Sequence, residues 1–258
     1  MNKAFQPTNT KHRPINSHQL QLLITLYKFR YTTAKLIASS QGAKYTRVIL
    51  SRLKILVEQG YIGQNYDSSY KIIGKPATYY LLPNGIQILR KQPFANPNVL
   101  KQIYYDKNKD DGHIQHRLNV FKTYVFIKQK YPKQFQFFSK TELSGLKYIP
   151  RDLTDAHLQK NTNIESNGST NDPQLTASDY FLSFYEASMP YWRIRNSIKR
   201  YIAYAESEKW PNATKQDFPG VLIVCETKTL ERRLQNLTKR ELDNTWAAVK
   251  FEFLSLNS

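Results

Sequence analysis

The segment Pro219-Gly-Val-Leu-Ile-Val-Cys-Glu226 restricts the fold more than any other stretch of this 258-residue chain. Consecutive apolar residues, with no alternation, mark a short strand buried on both faces. The segments around it supply the cover. Leu118, Phe121, Val125 and Phe126 repeat at helical spacing in a predicted helix over 113–131, which Pro132 ends. Strands are expected at 135–138, 153–158, 179–187 and 247–254, and helices at 192–208 and 229–237. Residues 159–178 are almost wholly polar and are expected to form a mobile loop. Helices alternating with strands around a buried central strand predict an α/β sheet over 113–258.

The first two-fifths of the chain follow a different plan. Residues 1–16 read as a flexible basic arm. Ser17 is placed to cap a helix to about residue 29, with Leu20, Leu23, Ile24 and Tyr27 on one face. Thr32 or Thr33 caps a short second helix that ends near Gly42. A third helix is expected over 44–59, stopped by Gly60, with Ile49, Leu53, Leu56 and Val57 as its apolar stripe. Its other face carries Lys44, Tyr45, Arg47, Ser51, Arg52 and Lys54. A strand over 61–66, a turn at 67–69 and a returning strand over 77–82 form a hairpin, and Ser69, Tyr70, Lys71 and Lys75 make its tip basic and aromatic. Pro83 then starts a helix to 91.

Three helices and a basic hairpin over 17–92 give the order of a winged helix-turn-helix, in which Lys44, Tyr45, Arg47 and Ser51 are expected to face the DNA major groove, Arg52 and Lys54 to lie towards the backbone, and Ser69, Tyr70, Lys71 and Lys75 to contact DNA from the wing. Residues 93–112, with Pro97 and a charged stretch at 106–112, read as a linker.

Charge follows the same division. Of the +18 formal charge, residues 1–105 hold +13, with 15 Lys and Arg against Glu58 and Asp67 alone. Such a field attracts a polyanion and makes its binding salt-dependent; a merely solvated, Lys-rich surface is the plainer alternative. No basic helix with a continuous bulky apolar face points to a membrane surface. One cysteine, Cys225, excludes a disulfide framework and a Cys-rich zinc site, and its place in an apolar run marks it as core. With no run of about 18 apolar residues and no signal-peptide core near the start, a soluble, cytoplasmic protein is expected. Gly-Lys-Ser/Thr, G-x-G-x-x-G and G-x-S-x-G motifs are absent. His113 and His116, three apart, read as solvated or capping residues.

Several short motifs in order carry a family resemblance. They are Thr154-Asp155-Ala156, Phe184-Tyr185-Glu186, the helix with Lys199-Arg200-Tyr201-Ile-Ala-Tyr204, the strand Phe218-Pro-Gly-Val-Leu-Ile-Val224, and Arg232-Arg233-Leu234. Behind a winged helix, this order resembles the replication-relaxation family of plasmids and other mobile elements, whose second half is similar to a PD-(D/E)xK nuclease core. The resemblance places Asp155 and Glu186 at the two carboxylate positions that would hold Mg²⁺, with Glu142 as an additional acid. The lysine position is Ser188, and Thr154 stands where the family tends to have Pro. A hydroxyl cannot supply the fixed positive charge, and Lys199 is the nearest substitute. The expectation is therefore a non-catalytic core, with no metal and no cofactor.

The leading reading is a duplex-DNA-binding protein of a mobile element, acting in replication, mobilisation or transcriptional control. It would work as a homodimer, alongside replication or mobilisation proteins. Two alternatives stand beside it: a Mg²⁺-dependent nuclease or nicking subunit using Asp155 and Glu186, and a protein-protein adaptor in a nucleoprotein complex.

Overall fold

The computed structural model describes residues 14–150, 152–161, 175–243, 245–246 and 248–257. Most of the expected arm (1–13) and most of the expected loop (162–174) lie outside the described residues.

Helix α1 (Ser17–Phe29) is capped by Asn16, one residue before the expected Ser17. The reason is reciprocal bonding. The Gln19 amide donates to Asn16 Oδ1 at 2.9 Å, and the Asn16 amide donates to Gln19 Oε1 at 3.1 Å, a pairing open to a cap residue three positions before Gln19. Strand β1 (Tyr31–Thr32) follows, and Thr33 Oγ1 caps α2 (Ala34–Ser40) by accepting from the Leu36 amide. Helix α3 (Arg47–Glu58) begins three residues later than expected, so Lys44 and Tyr45 lie in the approach to the helix. It stops at Gly60, whose φ of +68° an L side chain adopts only with strain.

Strands β2 (Ile62–Asn65) and β3 (Thr78–Leu81) form an antiparallel hairpin, and β1 pairs with the other edge of β3, giving the order β1-β3-β2. The expected turn at the hairpin tip holds a short helix, α4 (Ser68–Ile72), because Asp67 caps it through the Ser69 amide. Helix α5 (Pro83–Arg90) starts on its proline, as expected.

The stretch expected as a linker is built into the structure. Asn96 caps α6 (Pro97–Ile103), and Val99, Leu100 and Ile103 are buried. Pro97, taken as a breaker, sits in the first turn of a helix, where its missing N–H costs nothing. After a 3₁₀ turn at Asp106–Asn108, α7 (Asp111–Lys130) is capped by Asp110. Asp106 is fully buried and accepts from Arg30 Nε and Nη2 at 2.6 and 2.5 Å, which ties this stretch to the end of α1.

The second sheet contains β4 (Phe135–Ser139), β5 (Ala156–Lys160), β6 (Asp179–Tyr185), β7 (Gly220–Thr227) and β8 (Phe251–Asn257) in that spatial order. The first two pairings are antiparallel and the last two parallel. The short α8 (Lys140–Leu143) follows β4. Two residues of the expected loop, Gln159 and Lys160, belong to β5, paired with Gln136 and Phe135. Helix α9 (Tyr191–Glu206) and the short α10 (Lys209–Thr214) precede β7, and α11 (Lys228–Leu242) links it to β8.

Strand β7 is buried on both faces, as its apolar run requires. Val221, Ile223 and Cys225 pack with Ile194, Ile198 and Tyr201 of α9 and Leu234 of α11. Leu222 and Val224 join a larger cluster containing Phe121 and Val125 of α7 and, continuing through it, Leu22, Ile37 and Leu53 of the N-terminal helices. One apolar core thus runs from the three-helix unit to the five-stranded sheet, with α7 between them.

Candidate functional site

The exposed face of α3 is set by its buried one. Ile49, Leu53 and Leu56 are almost wholly buried. At 3.6 residues per turn, Arg47, Ser51 and Lys54 then fall on the opposite side, and all three are exposed. Arg52 lies on the flank and is partly buried. Lys54 meets Glu58 at 3.8 Å, a loose exposed pair. The side chains of Arg47 and Ser51 have no hydrogen-bond or ion-pair partner among the described residues. Ahead of the helix, Lys44 Nζ stands 5.4 Å from the ring centre of Tyr45, which is itself 67% exposed. The sequence reading missed the exposed apolar members of this face, Val48, Leu50 and Ile55. Their displacement from the Ile49–Leu53–Leu56 stripe was the available signal.

The hairpin tip is less uniformly basic than expected. Lys71 is exposed and unpaired among the described residues. Lys75, by contrast, lies 4.5 Å from the ring centre of Tyr70 and 3.3 Å from Asp111, at the start of α7. Asp111 raises the Lys75 pKa, holding the ammonium charged. The Ser69 hydroxyl donates to Asp67 at 2.6 Å as part of the α4 cap. Ile72, 87% exposed, and Ile73 add an apolar element beside Lys71. No hydrogen bond or ion pair among the described residues joins the α3 set to the tip set; β2 connects them.

The second group of named residues is drawn together. Asp155, just before β5, and Glu186, just after β6, both meet α7. His116 Nε2 lies 2.9 Å from Asp155 Oδ1, and its Nδ1 is 3.9 Å from Glu186 Oε1. Asn119 donates to Glu186 Oε1 at 3.0 Å, and the Phe184 amide donates to Asp155 Oδ2 at 3.0 Å. Burial opposes charge on Asp155, yet His116, Arg117 and the Phe184 amide hold its carboxyl far below the usual carboxylate range. Burial likewise opposes the His116 cation, and Asp155 outweighs it, raising the His116 pKa. His116 is therefore neither solvated nor a cap: it is the bridge between the two acids. His113 is held down to about 4, first by burial and then by Arg117, Lys109 and Arg30.

The remaining nuclease candidates lie elsewhere. Glu142 accepts from the amide and hydroxyl of Ser139 and pairs with Lys28 at 3.2 Å. Lys199 is directed to Glu241 at 3.7 Å, so it does not replace the missing lysine, and Ser188 lies in an exposed turn. Both Asp155 oxygens and one Glu186 oxygen already accept hydrogen bonds from protein groups or face His116. Among the described residues, no three His, Cys, Asp or Glu side chains converge as ligands.

Among the described residues, no helix is long and apolar enough to cross a membrane. No family model, curated protein or solved structure matches this chain.

Proposed function

We propose that the protein binds duplex DNA through a winged helix-turn-helix formed by residues 17–92, with α3 in the major groove and the hairpin tip against the phosphate backbone. The observation that carries this reading is the exposed row Arg47, Ser51 and Lys54, directly opposite the stripe that anchors α3 to the core. A major groove accepts one α-helix, and a bidentate arginine reads guanine there. Val48 and Leu50 suit the methyl of thymine. Lys44 and Lys71 anchor phosphates, and the +13 charge of residues 1–105 favours approach of the polyanion.

The cytoplasmic mobile-element role, in replication, mobilisation or transcriptional control, rests on the resemblance to the replication-relaxation family. A homodimer would match paired half-sites.

Selection of bound sequences from a random duplex pool, followed by gel-shift titration of the full chain at several salt concentrations, tests the reading. A recovered consensus, bound with an affinity that falls steeply as salt rises, is expected. Failure to retain any duplex at low salt overturns it and leaves the adaptor reading. A nuclease reading draws on the convergence of Asp155 and Glu186. It would replace the present one if supercoiled plasmid were nicked in Mg²⁺ and Glu186→Gln abolished the nicking.

A further inference from the structure

A cavity of about 780 Å³ opens between the end of α1, α6, α7 and the segment that runs from α8 towards β5. It touches none of the residues assigned to DNA, and its chemistry is distinct. Four cations line it: Arg30, Arg117, Lys140 and Lys147, against one acid, Asp152. Two of the four are matched by carboxylates. Arg30 is bonded to Asp106, and Lys140 is bonded to Asp152.

Arg117 and Lys147 have no ion-pair partner among the described residues. Arg117 is the telling one. It is partly buried, its Nε is sealed from solvent, and that nitrogen has no hydrogen-bond partner among the described residues. Burial pulls its pKa down, with Asp155 the largest influence in the other direction. Asp155, however, is already engaged by His116 and the Phe184 amide. A buried guanidinium without a counter-charge is costly to hold, and an anion seated against it removes that cost.

We infer that this cavity is a binding site for a small phosphate monoester of nucleotide size. Two unmatched cations correspond to the two charges of such a phosphate. Arg117 supplies planar donors at the wall, and Lys147 supplies a point charge at the exposed rim. The volume lies within the range of about 300–1,000 Å³ common for small-molecule clefts, and it is far too small for a duplex. Neutral donors such as Gln102 and Thr141 complete the lining. The site joins the end of α1 and helices α6 and α7 to the segment that precedes β5, and the inference does not rest on the duplex reading.

Isothermal titration of the full chain in chloride buffer tests it with inorganic phosphate, a nucleoside monophosphate and a 5′-phosphorylated single-stranded oligonucleotide. Saturable binding of the monophosphate is expected. It should be at least tenfold weaker in Lys147→Gln, at the exposed rim, and unchanged in Lys71→Gln on the distant hairpin. Equal binding of the phosphorylated oligonucleotide, but not of its unphosphorylated form, would assign the same site to a strand end. Thermal unfolding gives a second readout: phosphate should raise the midpoint of the wild type and leave that of Arg117→Gln unmoved. No saturable binding of any probe, or equal weakening by Lys147→Gln and Lys71→Gln, overturns the inference.

Discussion

The charges of α3 and the hairpin tip and those around Asp155 are built on opposite principles. On α3, Arg47 stands in solvent without a carboxylate beside it, and Lys54 has only the loose contact with Glu58. Around Asp155, the acids are engaged from within the protein: His116, the Phe184 amide and Asn119 meet the two carboxylates within 3.0 Å. Solvated cations cost little to display and remain free to neutralise phosphate. Withdrawn charges must be paired, and removing one partner exposes the full cost of the other. The first set stays open to solvent, and the second holds α7 to the strand ends. Substitutions should therefore separate cleanly, those at the surface changing affinity and those in the cluster changing stability.

The largest effect is expected for Asp155→Ala. It leaves His116 without its ion-pair partner and the Phe184 amide without an acceptor, at a cost of about 3–5 kcal/mol. Urea unfolding measures this directly. A loss below about 1 kcal/mol would place Asp155 with surface residues such as Arg47 and break the contrast.

Acid should act on the interior in the same sense. His157 is buried among Phe138, Phe181 and Trp210, with its Nε2 unpartnered among the described residues, and burial holds its pKa down to about 4. His113 is held to about 4 as well. Both are bases with depressed folded values, so between pH 6.5 and 4 the unfolded chain takes up protons that the folded chain does not. Stability then falls as pH falls through that window. His116 has the opposite sign: its raised value contributes below about pH 6.5 and is lost as pH rises through the folded pKa. His157→Phe should remove roughly 2–3 kcal/mol of the acid loss, seen as a smaller difference in unfolding midpoint between pH 7 and pH 4.5. An unchanged difference would show that His157 is not held neutral.

Arg47→Ala should reverse the pattern. Stability is expected to stay within about 0.5 kcal/mol, while duplex affinity falls by about 1–3 kcal/mol and sequence preference blurs. Lys71→Ala should weaken all duplexes alike and lower the salt slope by about one. Gel shifts on the selected sequence and on a scrambled one distinguish the two. Equal loss on both duplexes for Arg47→Ala would move that residue from base reading to phosphate anchoring.

Local pattern carried what was legible. The continuous apolar run gave β7, and the steps of three and four from Ile49 to Leu56 gave the buried face of α3, and with it Arg47, Ser51 and Lys54. Two-residue β1 is too short for any period, and Pro97 looks the same as a breaker and as a first-turn residue. The α4 turn depends on one cap, Asp67. Asp155 and Glu186 were named together through the family resemblance, but their partners His116 and Asn119 escaped because α7 brings them in by crossing the strand ends. A signal was present nonetheless: His116, Asn119 and the fully buried Thr123 repeat at three and four along that helix, a polar row in an otherwise apolar face. The pairing of Lys75 with Asp111 likewise depends on how the hairpin meets α7.

The smallest effect tests the contrast most finely, because it concerns an ion pair on the side proposed to face DNA. Lys54 and Glu58 are four residues apart, their charged groups 3.8 Å apart and both well exposed. Solvent screens the attraction, and ordering two long side chains offsets most of what remains, so Glu58→Gln should alter unfolding free energy by less than about 0.5 kcal/mol. The same change removes the only acid of α3 from the face that would approach phosphate. Duplex affinity should therefore rise modestly at low salt, by about twofold to fivefold, and the gain should vanish as salt is increased. A stability loss above about 1 kcal/mol with no gain in affinity would mean that this pair belongs with the interior charges, and that the α3 face is not turned towards a polyanion.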